Sequence, residues 1–231
     1  MKPLVVIPVR GGSKGIPGKN IKDFCGKPLI DWTIDAARGV FADEDICVST
    51  DDLAIRRTVE AYGLKVPFLR PDELATDTAG TYGVLLHALD FYEGLGRTYD
   101  TIVLLQATSP FRNAKHLQQA LSLYSQDVDM VVSVREAPVN PYNNCYEEMS
   151  NGYLQISKSG GSIIRRQESP KVYSFNGALY IINTQSLRKG WFSSFSRIVK
   201  FVMDEYHSVD LDTPIDWLFA ELLVKEGYIS L

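Results

Sequence analysis

A chain of 231 residues, 45% apolar and 23% charged, can bury a sizeable core without a disulfide or a structural metal. Its net charge of −4 argues against general nucleic-acid binding, which goes with a basic excess. Cys25, Cys47 and Cys145 form neither a CxxC nor a zinc pattern, and no apolar run is long enough for a signal peptide or a membrane span, so a reduced, cytoplasmic protein that does not engage membranes is expected.

Apolar runs and helical periods alternate along the first 134 residues. The run at 4–9 suits a central strand, and 28–39 has helical spacing at Leu29, Trp32, Ile34 and Ala36. A strand at 45–50 precedes a helix at 51–63. A strand-like piece at 65–69 precedes a helix at 80–94. The clearest buried strand is 100–107, followed by a helix at 114–126 and a strand at 129–134. This order predicts an α/β fold, a mainly parallel sheet flanked by helices, with the ligand at the carboxyl ends of the strands. From Pro138 the rhythm changes to extended pieces with Asn-Gly and Gly-Gly turns, read as a β-rich insertion over 138–172 within one domain of 1–231. Near the end, Thr213 reads as a helix N-cap, Pro214 as the first helical residue and Asp216 as its capping partner.

The loop after the first strand, "RGGSKGIPGKN" at 10–20, packs three cations, four glycines and a proline into eleven residues. Glycines let backbone N–H groups converge on an anion, and Arg10, Lys14 and Lys19 add charge, so the loop suits a polyphosphate. It is not a Walker loop, because Ser13 stands where glycine is required and Asn20 where Ser or Thr is, and GxGxxG is absent. The strand-end loops "STDD" (49–52), "RPDELATD" (70–77) and "QATSPFR" (106–112) are also densely polar.

With "VRGGSKGIPGKN" (9–20), "LLQATSPFR" (104–112), "RRQESPKVYSFNGALY" (165–180) and "VDLDTPIDW" (209–217) in this order, the chain resembles the acylneuraminate (CMP-sialic acid type) cytidylyltransferases and their relatives that activate other nine-carbon acidic sugars. The resemblance implies a nucleotide-diphospho-sugar transferase-like, Rossmann-like domain with a small β-rich dimerisation extension, hence a homodimer. It implies transfer of CMP from CTP to the anomeric hydroxyl of a nonulosonic acid, with release of pyrophosphate. In such a reaction, positioning and charge stabilisation do most of the work.

Carried over residue by residue, the resemblance gives Arg10 and Lys19 the triphosphate and the leaving pyrophosphate. Gly11, Gly12 and Ser13 supply further donors, and Asn20 holds the nucleotide. Asp210 and Asp212 read by spacing alone as ordinary residues before a helix. The resemblance makes them ligands of Mg²⁺, with Mn²⁺ as the alternative, and Asp212 the stronger. Arg10, Lys19 and Asp212 are thus the catalytic set. Gln106, Arg166, Gln167, Asn176 and Tyr180 are assigned to the sugar, with Trp191 and Phe192 as an apolar wall for its acyl group. The three histidines match no motif. Two alternatives stand beside this reading: a CMP-Kdo synthetase-type enzyme, and a catalytically silent module that binds nucleotide sugars. Neu5Ac, KDN, legionaminic acid and pseudaminic acid all remain open as substrates.

Overall fold

The first apolar run becomes β1 (Pro3–Pro8), and its side chains alternate between two buried faces. Val5 and Ile7 enter one apolar cluster, Leu4 and Val6 another. A strand with no polar face needs cover on both sides, and helices provide it. The protein is seen here in a computed structural model that describes residues 1–13, 15–76, 80–158 and 169–231. A short hairpin of β2 (Asp23–Phe24) and β3 (Lys27–Pro28) leads into α1 (Leu29–Arg38), followed by β4 (Ile46–Ser49) and α2 (Leu53–Ala61). Then come α3 (Thr81–Gly94), β5 (Thr101–Leu105), α4 (Ala114–Ser122) and β6 (Met130–Glu136). Next are β7 (Tyr146–Glu148), β8 (Leu154–Ile156), β9 (Tyr173–Asn183), α5 (Thr184–Lys189), β10 (Ile198–Val202) and α6 (Pro214–Lys225).

Six strands form one sheet in the order β10-β6-β9-β5-β1-β4. β5, β1 and β4 are mutually parallel, and β10 is parallel to β6. The expected mainly parallel α/β sheet is therefore present, with one antiparallel member: β9 lies between β5 and β6 and opposes both. On one face, Ile30 and Ile34 of α1, Val59 of α2 and Leu117 of α4 meet the sheet. On the other, Leu85 and Leu89 of α3 and Leu187 of α5 do so. β7 and β8 pair only with each other among the described strands.

The expected strand at 65–69 reduces to a single bridge, Thr50 to Leu69. Pro67 has no N–H to give a ladder, and Arg70 N–H instead closes the segment onto the Thr50 carbonyl at 2.7 Å. The expected helix at 114–126 ends four residues early, at Ser122. The cap at Thr213 is as read: its hydroxyl accepts from Asp216 N–H, Asp216 accepts from Thr213 N–H, and Pro214 opens α6.

β6 is irregular between Val132 and Val134, where the register with β9 shifts. Ser133 closes the gap with its side chain, whose Oγ accepts from Leu179 N–H at 2.9 Å and donates to Asn176 Oδ1 at 2.6 Å. A third apolar cluster sits beneath the last helix, where Ile16, Phe24, Phe111 and Leu211 pack with Trp217 and Ala220 of α6.

Asp129, one residue before β6, ties two other segments to the start of that strand. It accepts from Ser186 Oγ at 2.7 Å, Arg197 N–H at 2.8 Å and Ser196 N–H at 3.1 Å. The Ser186 hydroxyl first, with the Arg197 and Ser196 amides, pulls its carboxyl from 3.8 down to about 2. A depressed carboxyl stabilises the fold above its unfolded pKa and loses that contribution as the pH falls through the folded value. Asp129→Asn should therefore melt below wild type at neutral pH. The gap should close between pH 3.8 and about 2. A gap that stays constant across a pH series of thermal melts would remove Asp129 from this role.

Candidate active site

β1 and β5 end side by side, and their continuations open a cleft of about 500 Å³. Arg10 and Ser13 from the first loop line it, as do Lys19, Asn20, Gln106 and Asp212. These six residues, expected from sequence to share a site, are brought together from three distant parts of the chain. The cleft stands at the carboxyl ends of parallel strands, where open α/β sheets place their ligands.

The first loop is held by specific contacts. Lys19 begins a single 3₁₀ turn (Lys19–Ile21) and turns its ammonium inward. Its Nζ donates to the Leu211 carbonyl at 2.6 Å and to Asp212 Oδ1 at 3.1 Å. Asn20 is buried, and its amide donates to the Arg10 carbonyl at 3.1 Å, so it fixes the loop while also lining the cleft. Two glycines are in close approach, Gly15 to backbone and Gly11 to a side chain that would have to shift. A Cβ at Gly15 would lie 2.2 Å from the Asp212 carbonyl oxygen, and one at Gly11 2.2 Å from Asp52 Oδ2. Asp52 is the N-cap of α2 and accepts from Ala54 and Ile55 N–H. Of the expected backbone donors, Ser13 N–H is spent on the Gly11 carbonyl at 3.0 Å, while a Cβ at Gly12 would meet only open space. Lys14 lies outside the described residues.

Asp210 and Asp212 occupy different settings despite their shared spacing. Asp212 is open, with 70% of its side chain exposed. Asp210 is mostly sheltered; burial raises its pKa above 3.8, the Asp212 charge adds to the rise, and the Thr108 hydroxyl opposes it. Asp210 Oδ1 is buried with no hydrogen-bond partner among the described residues. A sheltered carboxylate oxygen without a partner, beside an open carboxylate, is a hard-oxygen pair suited to Mg²⁺ when a phosphate completes the shell. Among the described residues no group of three or more His, Cys, Asp or Glu forms a closed metal cage, so further ligands would come from a bound anion or water.

The sugar-side assignments divide. Gln106 follows the last residue of β5 and lines the cleft. Asn176 does not: its amide is committed to Ser133 and the Ala178 N–H (3.2 Å) at the β6–β9 irregularity, and to Ser208 Oγ at 2.9 Å on the 206–208 turn. Tyr180, Trp191 and Phe192 also stand outside the cleft lining. They build one aromatic run, with ring centroids 3.7 Å apart for Trp191–Phe192, 5.4 Å for Phe192–Tyr180 and 5.5 Å for Trp191–Tyr82. The run extends from the first turn of α3, where Thr81 lines the cleft, to the neighbourhood of Asp210, whose charge adds to the burial that raises the Tyr180 pKa. Arg166 and Gln167 lie outside the described residues.

Sequence reasoning missed Arg70. It lines the cleft almost fully buried, donating from one Nη to the Val9 carbonyl and to Asp51 Oδ1, both at 3.0 Å, while its Nε has no partner among the described residues. The available signal was an arginine opening the polar strand-end loop "RPDELATD".

A family model described as cytidylyltransferase matches residues 4–201. The CMP-N,N'-diacetyllegionaminic acid synthase of Legionella pneumophila is 35% identical over 97% of this chain and 97% of its own length. The N-acylneuraminate cytidylyltransferase of Streptococcus agalactiae is 38% identical over 98% of this chain, which spans 55% of that longer protein. Among solved structures, a CMP:2-keto-3-deoxy-manno-octonic acid synthetase complexed with CTP superposes with a TM-score of 0.70, covering 98% of this chain and 100% of that one. At 19% identity this is a likeness of fold.

The Gly11–Asp52 approach can be tested by a double-mutant cycle. Gly11→Ala should displace the Asp52 cap and cost about 1 kcal/mol, in line with the loss of an N-cap. In an Asp52→Ala background the same glycine change should cost little more. Additive losses in urea titrations would show that the two positions do not meet.

Proposed function

Since the chain belongs to the cytidylyltransferase family, we propose that it transfers the CMP group of CTP to the anomeric hydroxyl of a nonulosonic acid and releases pyrophosphate. The observation that carries this reading is the convergence of Arg10, Lys19 and Asp212 on one cleft at the β1 and β5 ends. Identity to synthetases of that sugar class over nearly the whole chain supports it.

In this reading residues 1–231 act as one domain. Arg10 meets the polyphosphate with a planar fork and Lys19 with a point charge, and Arg70 adds a buried guanidinium to the same wall. Gly11 and Gly12 keep the loop low enough for the phosphates to approach, and Ser13 and Asn20 hold the nucleotide's edge of the cleft. Asp210 and Asp212 would hold Mg²⁺, or Mn²⁺ in its place, and the ion when bound neutralises phosphate charge. The anomeric oxygen attacks the α-phosphorus as the bond to the β-phosphate bridge breaks, and the cations hold the departing pyrophosphate in line. Gln106 orients the acceptor sugar from the end of β5. Tyr180, Trp191 and Phe192 form the apolar flank for its acyl group, and Arg166 and Gln167 are proposed to meet its polar groups. Asn176 supports this flank through the β6–β9 irregularity rather than by contact.

The test is pyrophosphate release from CTP and Mg²⁺ across Neu5Ac, KDN, legionaminic acid, pseudaminic acid and Kdo. Turnover is expected with at least one nine-carbon sugar, with loss in EDTA and in folded Asp212→Ala. Turnover with Kdo alone would overturn the substrate class, and an active Asp212→Ala the metal assignment.

The insertion at 138–172 is proposed to build a homodimer. Its hairpin leaves Tyr146, Tyr153 and Leu154 exposed, more apolar surface than a short two-stranded ribbon keeps in water without a partner. Sedimentation equilibrium at micromolar concentration should return twice the 25.9 kDa chain mass; a single-chain mass would refute the dimer.

A further inference from the structure

Arg112 is among the largest fully buried side chains of the protein, with 1% exposure. Among the described residues it makes no ion pair. Its Nη1 donates to the carbonyls of Gln106 and Ser109, both at 3.3 Å, and its Nη2 donates to Thr33 Oγ1 on α1 at 2.8 Å. Burial alone pulls its pKa from 12.5 down to about 9. A cation held without a carboxylate is costly, and an apolar side chain of similar volume usually serves stability as well or better. What an apolar residue lacks is a rigid fork that fixes the spacing between two carbonyls and a hydroxyl.

The clamped turn touches the site on its other side. Gln106, Ala107 and Thr108 line the cleft. The Thr108 carbonyl accepts from Leu211 N–H at 2.9 Å, and Leu211 stands between Asp210 and Asp212. Contacts therefore run without a break from Thr33 on α1, through Arg112 and the 106–109 turn, to the segment carrying Asp210 and Asp212. We infer that Arg112 is a positioning residue that sets the Asp210–Asp212 carboxylate pair and Gln106 by tying their supporting turn to α1. This rests on reading the two aspartates as the metal-holding pair.

Arg112→Met keeps the volume and removes the fork, while Thr33→Val removes only the anchor on α1. Two readouts separate positioning from plain core packing. Hydrogen exchange at Ser109 and Leu211 N–H should quicken in Arg112→Met while the β1 and β5 amides keep their protection. Mn²⁺ affinity in the presence of CTP, read by paramagnetic resonance, should weaken by about 10–100-fold, the usual loss when a support of a metal ligand is removed. Thr33→Val should move both readouts in the same direction by less, and it decides the matter should Arg112→Met fail to fold. Variants that melt earlier yet keep wild-type Mn²⁺ affinity and Leu211 exchange would overturn the proposal. Wild type that binds no Mn²⁺ with CTP would instead overturn the carboxylate assignment, and this inference with it. Pyrophosphate release plays no part in either readout, so a wrong sugar assignment leaves the test intact.

Discussion

The ammonium of Lys19 sits with 11% of its side chain exposed, against a carbonyl and a carboxylate that lie almost two hundred residues away. Of its two contacts the carbonyl matters more. A charged donor on a buried carbonyl is worth about 1.5–3 kcal/mol. The Asp212 carboxylate is largely open to water, and such pairs contribute about 0–1 kcal/mol. Beneath this contact, Ile16 from the loop and Leu211 from the carboxylate segment pack in one apolar cluster with Phe24 and Trp217. Each side chain so buried adds about 1.5–3 kcal/mol. Packing and a carbonyl therefore lock the cationic loop to the acidic segment, while the visible ion pair stays weak. Asp212 can exchange Lys19 for another cation at small cost without loosening the frame.

The other supports of the site follow from that lock. Once Ile16 and Leu211 are fixed, Gly15 must pass the Asp212 carbonyl at a distance no Cβ permits. Gly11 is pressed on Asp52, so the loop's entry and the start of α2 share one position. Three buried or near-buried polar side chains, Asn20, Arg70 and Arg112, then hold backbone carbonyls around the cleft: those of Arg10, Val9, Gln106 and Ser109. The cleft is shaped largely by side chains that grip main chain.

The alternation of apolar runs with helical periods was enough to read the layered α/β fold, because β1 and β5 carry no polar face and had to be covered on both sides. The 65–69 segment misled because an apolar run says nothing about ladder partners, and Pro67 withholds a donor. That Arg10, Lys19, Gln106 and Asp212 share one cleft was legible because Arg10 and Gln106 come just after strands, Lys19 lies in the same glycine-rich loop as Arg10, and Asp212 stands just before a helix. For Asn176, "NGALY" does not disclose that the register slips by three residues on β9 between Val132 and Val134, a slip that draws its amide into the β6–β9 pairing. Arg70 and Arg112 were overlooked for a related reason. A charged residue in a polar loop reads as solvated, and only the assembled core shows it buried.

β9 has a consequence for how the molecule comes to be folded. It supplies 11 residues that part β5 from β6, so the two strands never touch and each relies on a segment synthesised 37 or more residues later. Until β9 arrives, the β4-β1-β5 block and the β6 ribbon each keep an unpaired apolar edge. Pairings of such long sequence separation form slowly, since loop closure must precede any return in contact energy. Arrival of β9 is thus the step that joins two half-sheets into one. A chain stopped short of it would present open strand edges of the kind that recruit other chains.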